Sequence, residues 1–460
     1  MDGFKCALVG DGLLLVECAQ LLLGRSHEIA LIASANPHIR KWAQTHHLLL
    51  VEPDRLDEEL SGLSCDWLFS IANLRVLSGS TLQSARHGAI NFHDALLPEQ
   101  AGLNTPAWAI LEGRQQHGVT WHAMTEKVDA GAIYVQTSFE IAPDETAFTL
   151  NSKCFEAGIS SFGQLVEAIE QDRLVPQRQA GEPHKVYRRA DRPIAAATLD
   201  FTKPAEELDR LVRALDFGDN YPNPLATPKL RHDHATYQIK NLAILNDATA
   251  VQPGTVLAVE GDTLKVAAAD RPVLLTLAHP RQQDSRRPRV SIRTGDVLSA
   301  ASPHERDNLS AAVAKAARHE TDFRRKLADR IDISLNDIKD REMAVEPDWQ
   351  AIPLAGCDGL SRSERIALIC AFLARSTQQM CFDVAYSCDG ISNLCSAHPG
   401  YFSSSVPLRF EVGETATPQE AVVMVHERLS RFDRQITYLS DLADRYGDLD
   451  DSPLTCGIVD

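Results

Sequence analysis

Asn91 and His93 stand two residues apart in Gly88-Ala89-Ile90-Asn91-Phe92-His93, and Asp129 follows in Val128-Asp129-Ala130-Gly131, 36 residues after His93. Side chains two apart on a strand leave the same face, so the amide and the imidazole share one side. An amide donor, an imidazole and a carboxylate brought together suit acyl transfer. The amide holds a developing oxyanion, the imidazole stabilises charge or moves a proton, and the carboxylate orients and charges the imidazole. On residue types alone a second reading stays open: a turn-capping Asn beside a packed His, with Asp-Ala-Gly an ordinary turn.

The trio needs a scaffold, and its outline is an α/β fold. Residues 5–9 form a short apolar run broken by Gly10-Asp11-Gly12, a helix is predicted over 13–23, and the next strand over 28–33. That order opens a parallel α/β unit. Further strands are predicted at 66–71, 88–93, 119–124 and 133–139, with helices at 78–85 and 150–169, closing a first domain near residue 175. The architecture expected is a Rossmann-like parallel sheet, with ligands at its carboxyl edge. Gly10 and Gly12 read as a tight turn, because both the G-x-x-x-x-G-K-[ST] and the G-x-G-x-x-G phosphate patterns fail here.

Past Pro183 the texture changes. A helix starts at Lys203-Pro204 with Glu206 and Glu207 at its positive end, and short strands between turns over 237–277 predict a small β-barrel-like subdomain. Residues 281–330 hold 12 Lys+Arg against 7 Asp+Glu and are read as a solvated connector carrying one helix over 302–329. From 331 onward the chain is acidic, with 10 Lys+Arg against 21 Asp+Glu. The expected domains are therefore 1–180, 181–280, 281–330 and 331–460.

Composition limits the partners. The 460 residues carry 46 Lys+Arg and 63 Asp+Glu, a net charge of −17 that opposes binding to a phosphate backbone. Residues 1–150 alone count 9 Lys+Arg against 18 Asp+Glu, a poor surface for tRNA. The ten cysteines include no C-x-x-C pair and several sit in apolar runs, as expected of reduced core residues in a cytoplasmic protein. No signal peptide or membrane-length apolar run is visible, and no metal site is called for.

Four ordered segments resemble the folate-dependent formyltransferases: Asn91-Phe92-His93-Asp94-Ala95-Leu96-Leu97-Pro98, Ala101-Gly102-Leu103-Asn104-Thr105-Pro106-Ala107-Trp108, His117-Gly118-Val119-Thr120-Trp121-His122 and Val128-Asp129-Ala130-Gly131-Ala132-Ile133. The likeness extends over about residues 1–280, since Asp200-Phe201-Thr202-Lys203-Pro204 and Pro253-Gly254-Thr255-Val256-Leu257 are similar to the family's C-terminal subdomain. The resemblance implies that Asn91, His93 and Asp129 are catalytic and that 10-formyltetrahydrofolate is the donor. It further implies that the segment with Arg75, Val76 and Leu77 binds the pterin through its backbone, while Glu126, Lys127 and Val128 close over it. Acceptor-choosing residues are expected around Gly10-Asp11-Gly12 and the loop 99–104. The family commonly has Ser where this chain has Ala95, and Pro where it has Asp94.

The wording of these segments is closest to formylation domains of nonribosomal peptide synthetases. Residues 400–409 with the helix 418–429 are similar to part of a condensation domain, yet the His-His-x-x-x-Asp-Gly motif is absent, so a structural or docking remnant is expected there. The chain stops where such a lobe would continue, as the front of a longer synthetase or an excised piece would. The expected function is N-formylation of a small amine or an aminoacyl group on a carrier protein in natural-product biosynthesis, with downstream synthetase domains as partners. Methionyl-tRNA or sugar-amine formylation, hydrolysis of the same folate and a non-catalytic scaffold are the alternatives.

Overall fold

The computed structural model describes residues 3–181, 185–247, 250–278, 291–334, 359–413, 415–450, 452, 454 and 456–460. They form two compact units, Met1–Arg188 and Arg189–Asp460.

In the first unit the strands are β1 (Lys5–Val9), β2 (Glu28–Ala33), β3 (Leu50–Val51), β4 (Cys65–Ser70), β5 (Ala85–His93), β6 (Gln100–Gly102), β7 (Gln116–Ala123), β8 (Ile133–Glu140) and β9 (Lys185–Tyr187). The helices are α1 (Leu14–Gly24), α2 (Pro37–Thr45), α3 (Leu56–Ser61), α4 (Gly79–Gln83), α5 (Thr105–Leu111) and α6 (Ala147–Glu170). Seven strands make one sheet in the order β3-β2-β1-β4-β5-β7-β8, while β6 and β9 pair separately. Alternate residues of β1 serve different cores: Cys6 and Leu8 pack with α1 and α6, Ala7 and Val9 with α3. A strand covered on both faces must be apolar throughout, which is why 5–9 shows no alternation.

The sheet is mixed, a correction to the parallel sheet expected. β1 to β5 are parallel to their neighbours, whereas β7 is antiparallel to β5 and β8 to β7. A parallel crossover needs a dozen or more residues, usually with a helix, and only residues 124–132 join β7 to β8. That short return carries Asp129.

The second unit contains α7 (Ala205–Ala214) packed on β10 (Lys229–His232), β11 (Ala235–Ile244), β12 (Val256–Glu260), β13 (Thr263–Ala267) and β14 (Pro272–Leu277). These strands form an antiparallel sheet in the order β10-β11-β14-β13-β12, with no ladder between its two edge strands among the described residues. The single helix expected over 302–329 is two, α8 (Pro303–Ala317) and α9 (Glu320–Ala328). They bury Leu309, Val313, Phe323 and Leu327, so this part of the basic stretch is core rather than a solvated connector. Residues 281–290 of that stretch lie outside the described residues.

The remainder is α10 (Arg362–Thr377), β15 (Cys381–Ser387), α11 (Asp389–Ala397), β16 (Val406–Glu411), α12 (Pro418–Gln435), α13 (Leu442–Arg445) and β17 (Gly457–Val459), with the sheet order β16-β15-β17. Ser302, Ser361 and Thr417 each begin a helix in a capping box with Glu305, Glu364 and Glu420, which satisfies two of the free N–H groups at each helix start. This lobe shares a core with its neighbours: Ala195 and Ala196 pack with Leu309, Val313, Tyr401, Phe402 and Leu439. Beside it lies a buried charge chain. Lys229 Nζ meets Asp441 at 2.9 Å, Asp441 meets Arg445 at 3.0 Å, and Glu320 is shared by Arg445 at 2.5 Å and Arg192 at 2.9 Å.

No described helix is long and apolar enough to cross a membrane, and no described cluster of His, Cys, Asp or Glu could hold a metal ion. The nine cysteines among the described residues are unpaired.

Candidate active site

The β5–β7 ladder fixes which side chains meet. Asn91 lies opposite His122 and His93 opposite Thr120, and opposed residues of an antiparallel pair share a face. Phe92 and Trp121 take the other face, with ring centroids 5.1 Å apart, and Trp121 packs on Phe162 of α6. The apolar residues thus anchor the strands from behind.

On the polar face Asn91 Nδ2 donates to the Phe92 carbonyl at 3.0 Å and lies 3.2 Å from His122 Nε2. His122 Nδ1 faces the Ala123 carbonyl at 2.9 Å. His122 Nε2 is also 3.5 Å from Asp129 Oδ1. His93 Nε2 donates to the Gln100 carbonyl at 2.9 Å. Its Nδ1 is left turned toward two carboxylates, Asp129 Oδ2 at 3.7 Å and Asp94 Oδ1 at 3.8 Å.

Asp129 is almost fully buried and adopts φ +52°, a conformation that Asp tolerates better than most residues. Its Oδ2 accepts the Gly102 N–H at 2.8 Å. Gln179 spans the turn from outside, donating to the carbonyls of Asp129 at 2.8 Å and Gly131 at 2.7 Å. A Cβ on Gly131 would sit 1.7 Å from the Ala123 carbonyl oxygen, so only glycine lets the loop close this tightly. Burial by itself would raise the Asp129 pKa, but His93, a hydrogen bond with His122 and the Gly102 N–H outweigh it and lower it to about 2. The carboxylate is therefore ionised at neutral pH.

The two departures in the loop after β5 have visible settings. Thr120 Oγ1 donates to the Ala95 carbonyl at 2.6 Å, and Gln136 Nε2 donates to Leu97 O at 3.0 Å, so main-chain carbonyls hold the loop where Ala95 offers no hydroxyl. Asp94 is fixed by Thr105 Oγ1, which donates to its carbonyl and to Oδ1.

Two loops flank the trio. In the first, after β4, Asn73 clasps Arg75 by accepting its N–H and donating to its carbonyl, both at 3.0 Å. The Arg75 guanidinium turns to Asp54 at 2.6 Å rather than toward the trio. Leu74 and Val76 stand 69% and 86% exposed, and Val128 of the second loop 57%. Both loops are rooted in one cluster through Leu77 and Met124. Gly10 ends β1 in a tight turn, where a Cβ would lie 1.8 Å from the Ile71 carbonyl oxygen.

Residues 43–166 match the formyl transferase family and residues 195–290 its C-terminal domain. A methionyl-tRNA formyltransferase of Agathobacter rectalis is 25% identical over 260 residues, covering 52% of this chain and 80% of the relative. The chain is a folate-dependent formyltransferase. Among solved structures, the sugar 3N-formyl transferase WlaRD aligns with a TM-score of 0.50 at 18% identity, covering 60% of this chain and 99% of its own, a likeness of fold alone. An N-formyltransferase from Helicobacter canadensis aligns at 18% identity over 60% of this chain and 100% of its own, with a TM-score of 0.49.

In this formyltransferase the sequence-derived trio does converge, with the expected flanking loops beside it. Gln100 and Gly102 lie in the loop 99–104, expected to choose the acceptor rather than to orient the trio, and His122 was not among the expected site residues. His122 was legible only as an alternate position of the strand 119–124, and its meeting with Asn91 needs the antiparallel register that a parallel reading hides. His122→Ala is expected to lower turnover about 100-fold by freeing Asn91 and Asp129 from their relative position. Tetrahydrofolate formation, followed beside an unchanged circular dichroism spectrum, checks this. Turnover at the wild-type rate would remove His122 from the site.

Proposed function

We propose that the chain transfers a formyl group from 10-formyltetrahydrofolate to the amine of an aminoacyl group, free or held on a carrier protein, in natural-product assembly. The observation that carries the chemistry is the cluster of Asn91, His93, His122 and Asp129 on one face at the β5–β7 edge. The exposed apolar side chains Leu74, Val76 and Val128 beside it suit a flat pterin, whose polar edge the backbone of Val76 and Leu77 would read.

In this reading the substrate nitrogen attacks the formyl carbon, the bond from that carbon to N10 of the folate breaks, and the products are a formamide and tetrahydrofolate. Asn91 donates to the oxygen as it gains charge. His93 uses Nε2–H on the Gln100 carbonyl, so Nδ1 is the atom that takes the proton from the attacking nitrogen and returns it to N10. The imidazolium formed in between has Asp129 and Asp94 carboxylates on its Nδ1 side. Asp129 needs no proton of its own in any step.

The acceptor rests on the resemblance of the motifs to synthetase formylation domains and on the acidic first unit. The named relatives favour two other acceptors, initiator tRNA and an amino sugar. One experiment separates all three: mass spectrometry of products after incubation with 10-formyltetrahydrofolate and, side by side, aminoacyl carrier protein, free amino acids, methionyl-tRNA and an aminosugar nucleotide. A formylated aminoacyl species is the expected product. Formylation of the tRNA or sugar alone would overturn the acceptor, and formate release without amine would indicate a hydrolase.

A further inference from the structure

We propose that two stretches following α6, residues 177–181 and 185–187, act as a strap that positions both the catalytic carboxylate and the catalytic imidazole, with Gln179, Tyr187 and Glu112 as its positioning residues. The inference rests on the function proposed above.

Two points of contact make the strap. At its start, Gln177 exchanges backbone hydrogen bonds with Ile133, 2.7 and 2.8 Å, and Gln179 donates both amide hydrogens to the carbonyls on either side of Ala130. That turn has no other side chain holding its carbonyls among the described residues, and Asp129 sits in it with positive φ. At its end, β9 pairs in parallel with β6, Gln100 opposite Lys185 and Gly102 opposite Tyr187. β6 supplies the two main-chain groups that orient the site: the Gln100 carbonyl accepts from His93, and the Gly102 N–H donates to Asp129. Gly102 adopts φ +92°, and a Cβ there would be 2.0 Å from the Tyr187 carbonyl oxygen, so β6 and β9 touch main chain to main chain.

What holds β9 is a cluster on the side of β6 away from the trio. Tyr187 OH donates to Glu112 Oε1 at 2.5 Å, Lys185 Nζ to the same oxygen at 2.8 Å, and Arg114 Nε to Oε2 at 3.0 Å. Tyr187 stacks on Trp108 of α5 at 4.8 Å and 5° between planes. The buried Gln100 side chain points into the same cluster, 3.4 Å from both Glu112 and Tyr187 OH. Glu112 thus ties α5 to β9, and β9 fixes β6 at the height where one carbonyl and one N–H meet His93 and Asp129. None of the three side chains touches the trio's own side chains, so they act through β6 and the 129–131 turn. A displacement of about 1 Å at a reacting group can cost up to about 100-fold in rate.

The test uses the full chain with 10-formyltetrahydrofolate and a mixture of aminoacyl N-acetylcysteamine thioesters, scoring total tetrahydrofolate formed. Gln179→Glu keeps the size of the side chain and removes its donors, and Tyr187→Phe removes only the hydroxyl. Each is expected to lower kcat about 10-fold or more, with KM for the folate and the thermal midpoint unchanged. Gln179→Lys, which restores a donor, is expected to recover part of the loss that Gln179→Glu suffers. Wild-type kcat in Gln179→Glu and Tyr187→Phe overturns the strap, as does a rise in KM with kcat retained. Asn91→Ala is run in parallel: if it too turns over normally, the proposed chemistry itself has failed, whereas an inactive Asn91→Ala beside active strap variants overturns the strap alone.

Discussion

Asn91→Ala is expected to lower formyl transfer by about 10²- to 10³-fold, the usual effect of removing one oxyanion donor. One Nδ2 hydrogen goes to the Phe92 carbonyl and Nδ2 lies 3.2 Å from His122 Nε2, so the amide is placed by its own strand and the facing one, and its second hydrogen is the one that turns to the oxyanion. Truncation leaves the backbone of β5 paired on both sides, and the fold should survive. Asp129→Ala is expected to do at least as much harm. It leaves the Gly102 N–H without its acceptor and removes the carboxylate next to His93 Nδ1. Single-turnover measurement of tetrahydrofolate formation, with donor affinity measured separately by calorimetry, checks both variants. A rate within about 3-fold of wild type in either would contradict an oxyanion and base assignment, since 3-fold is under about 1 kcal/mol of barrier.

Asp441→Ala is expected to destabilise the second unit by about 3–5 kcal/mol, the range seen when one member of a buried ion pair is removed and its partner left charged. Asp441 is fully enclosed and accepts from Lys229 and Arg445, and it also takes the N–H and hydroxyl of Thr227. Burial opposes its charge, yet the two cations and the hydrogen bonds prevail and hold its carboxyl well below the usual carboxylate range. A folded pKa below the unfolded value of about 3.9 means that the contribution is complete above that pH and is lost progressively as pH falls below it toward the folded pKa. The second unit should therefore be acid-labile, and Asp441→Ala should show less of that lability. Urea unfolding at neutral and acidic pH, followed by the fluorescence of the whole chain, reports both effects. The double variant Asp441→Leu, Lys229→Met removes both charges and is expected to regain most of the loss. A midpoint for Asp441→Ala equal to wild type would show that the charge chain holds nothing together.

Much of the catalytic face was legible because chemistry concentrates on a short stretch. Asn91 and His93 announce a shared face by their spacing, and the order of strand, Gly turn, helix and strand at the start gives the α/β core. The strand 28–33 and the helix 150–169 fall where the structure has β2 and α6. What stayed hidden was pairing direction. The run 119–124 looks the same in a parallel or an antiparallel neighbour, so His122 gave no sign of facing Asn91 until the ladder was known. Main-chain contributors were invisible for a related reason: Gln100 acts through its carbonyl and Gly102 through its N–H, and neither leaves a mark on residue type.

The basic stretch was misread on its charge. Arg and Lys there outnumber acids, yet the residues at 309, 313, 323 and 327 form a buried stripe on α8 and α9. Net charge describes the solvent face of a helix and says little about the other one. The pairing of Arg445 with Glu320, 125 positions away, could not have been read from either residue alone.

The alternation along β5 and β7 links folding to chemistry through a single variable. Sliding β5 by one residue would turn Asn91 and His93 into the apolar layer and push Phe92 out into water, and sliding β7 would do the same to His122 and Trp121. Phe92, Trp121 and Phe162 touch no substrate, yet they make every misregistered sheet costly, so a molecule that has folded has already aligned its catalytic groups. Substitutions on the rear face should then yield mixtures of fully competent and fully dead molecules rather than a uniform population of sluggish ones.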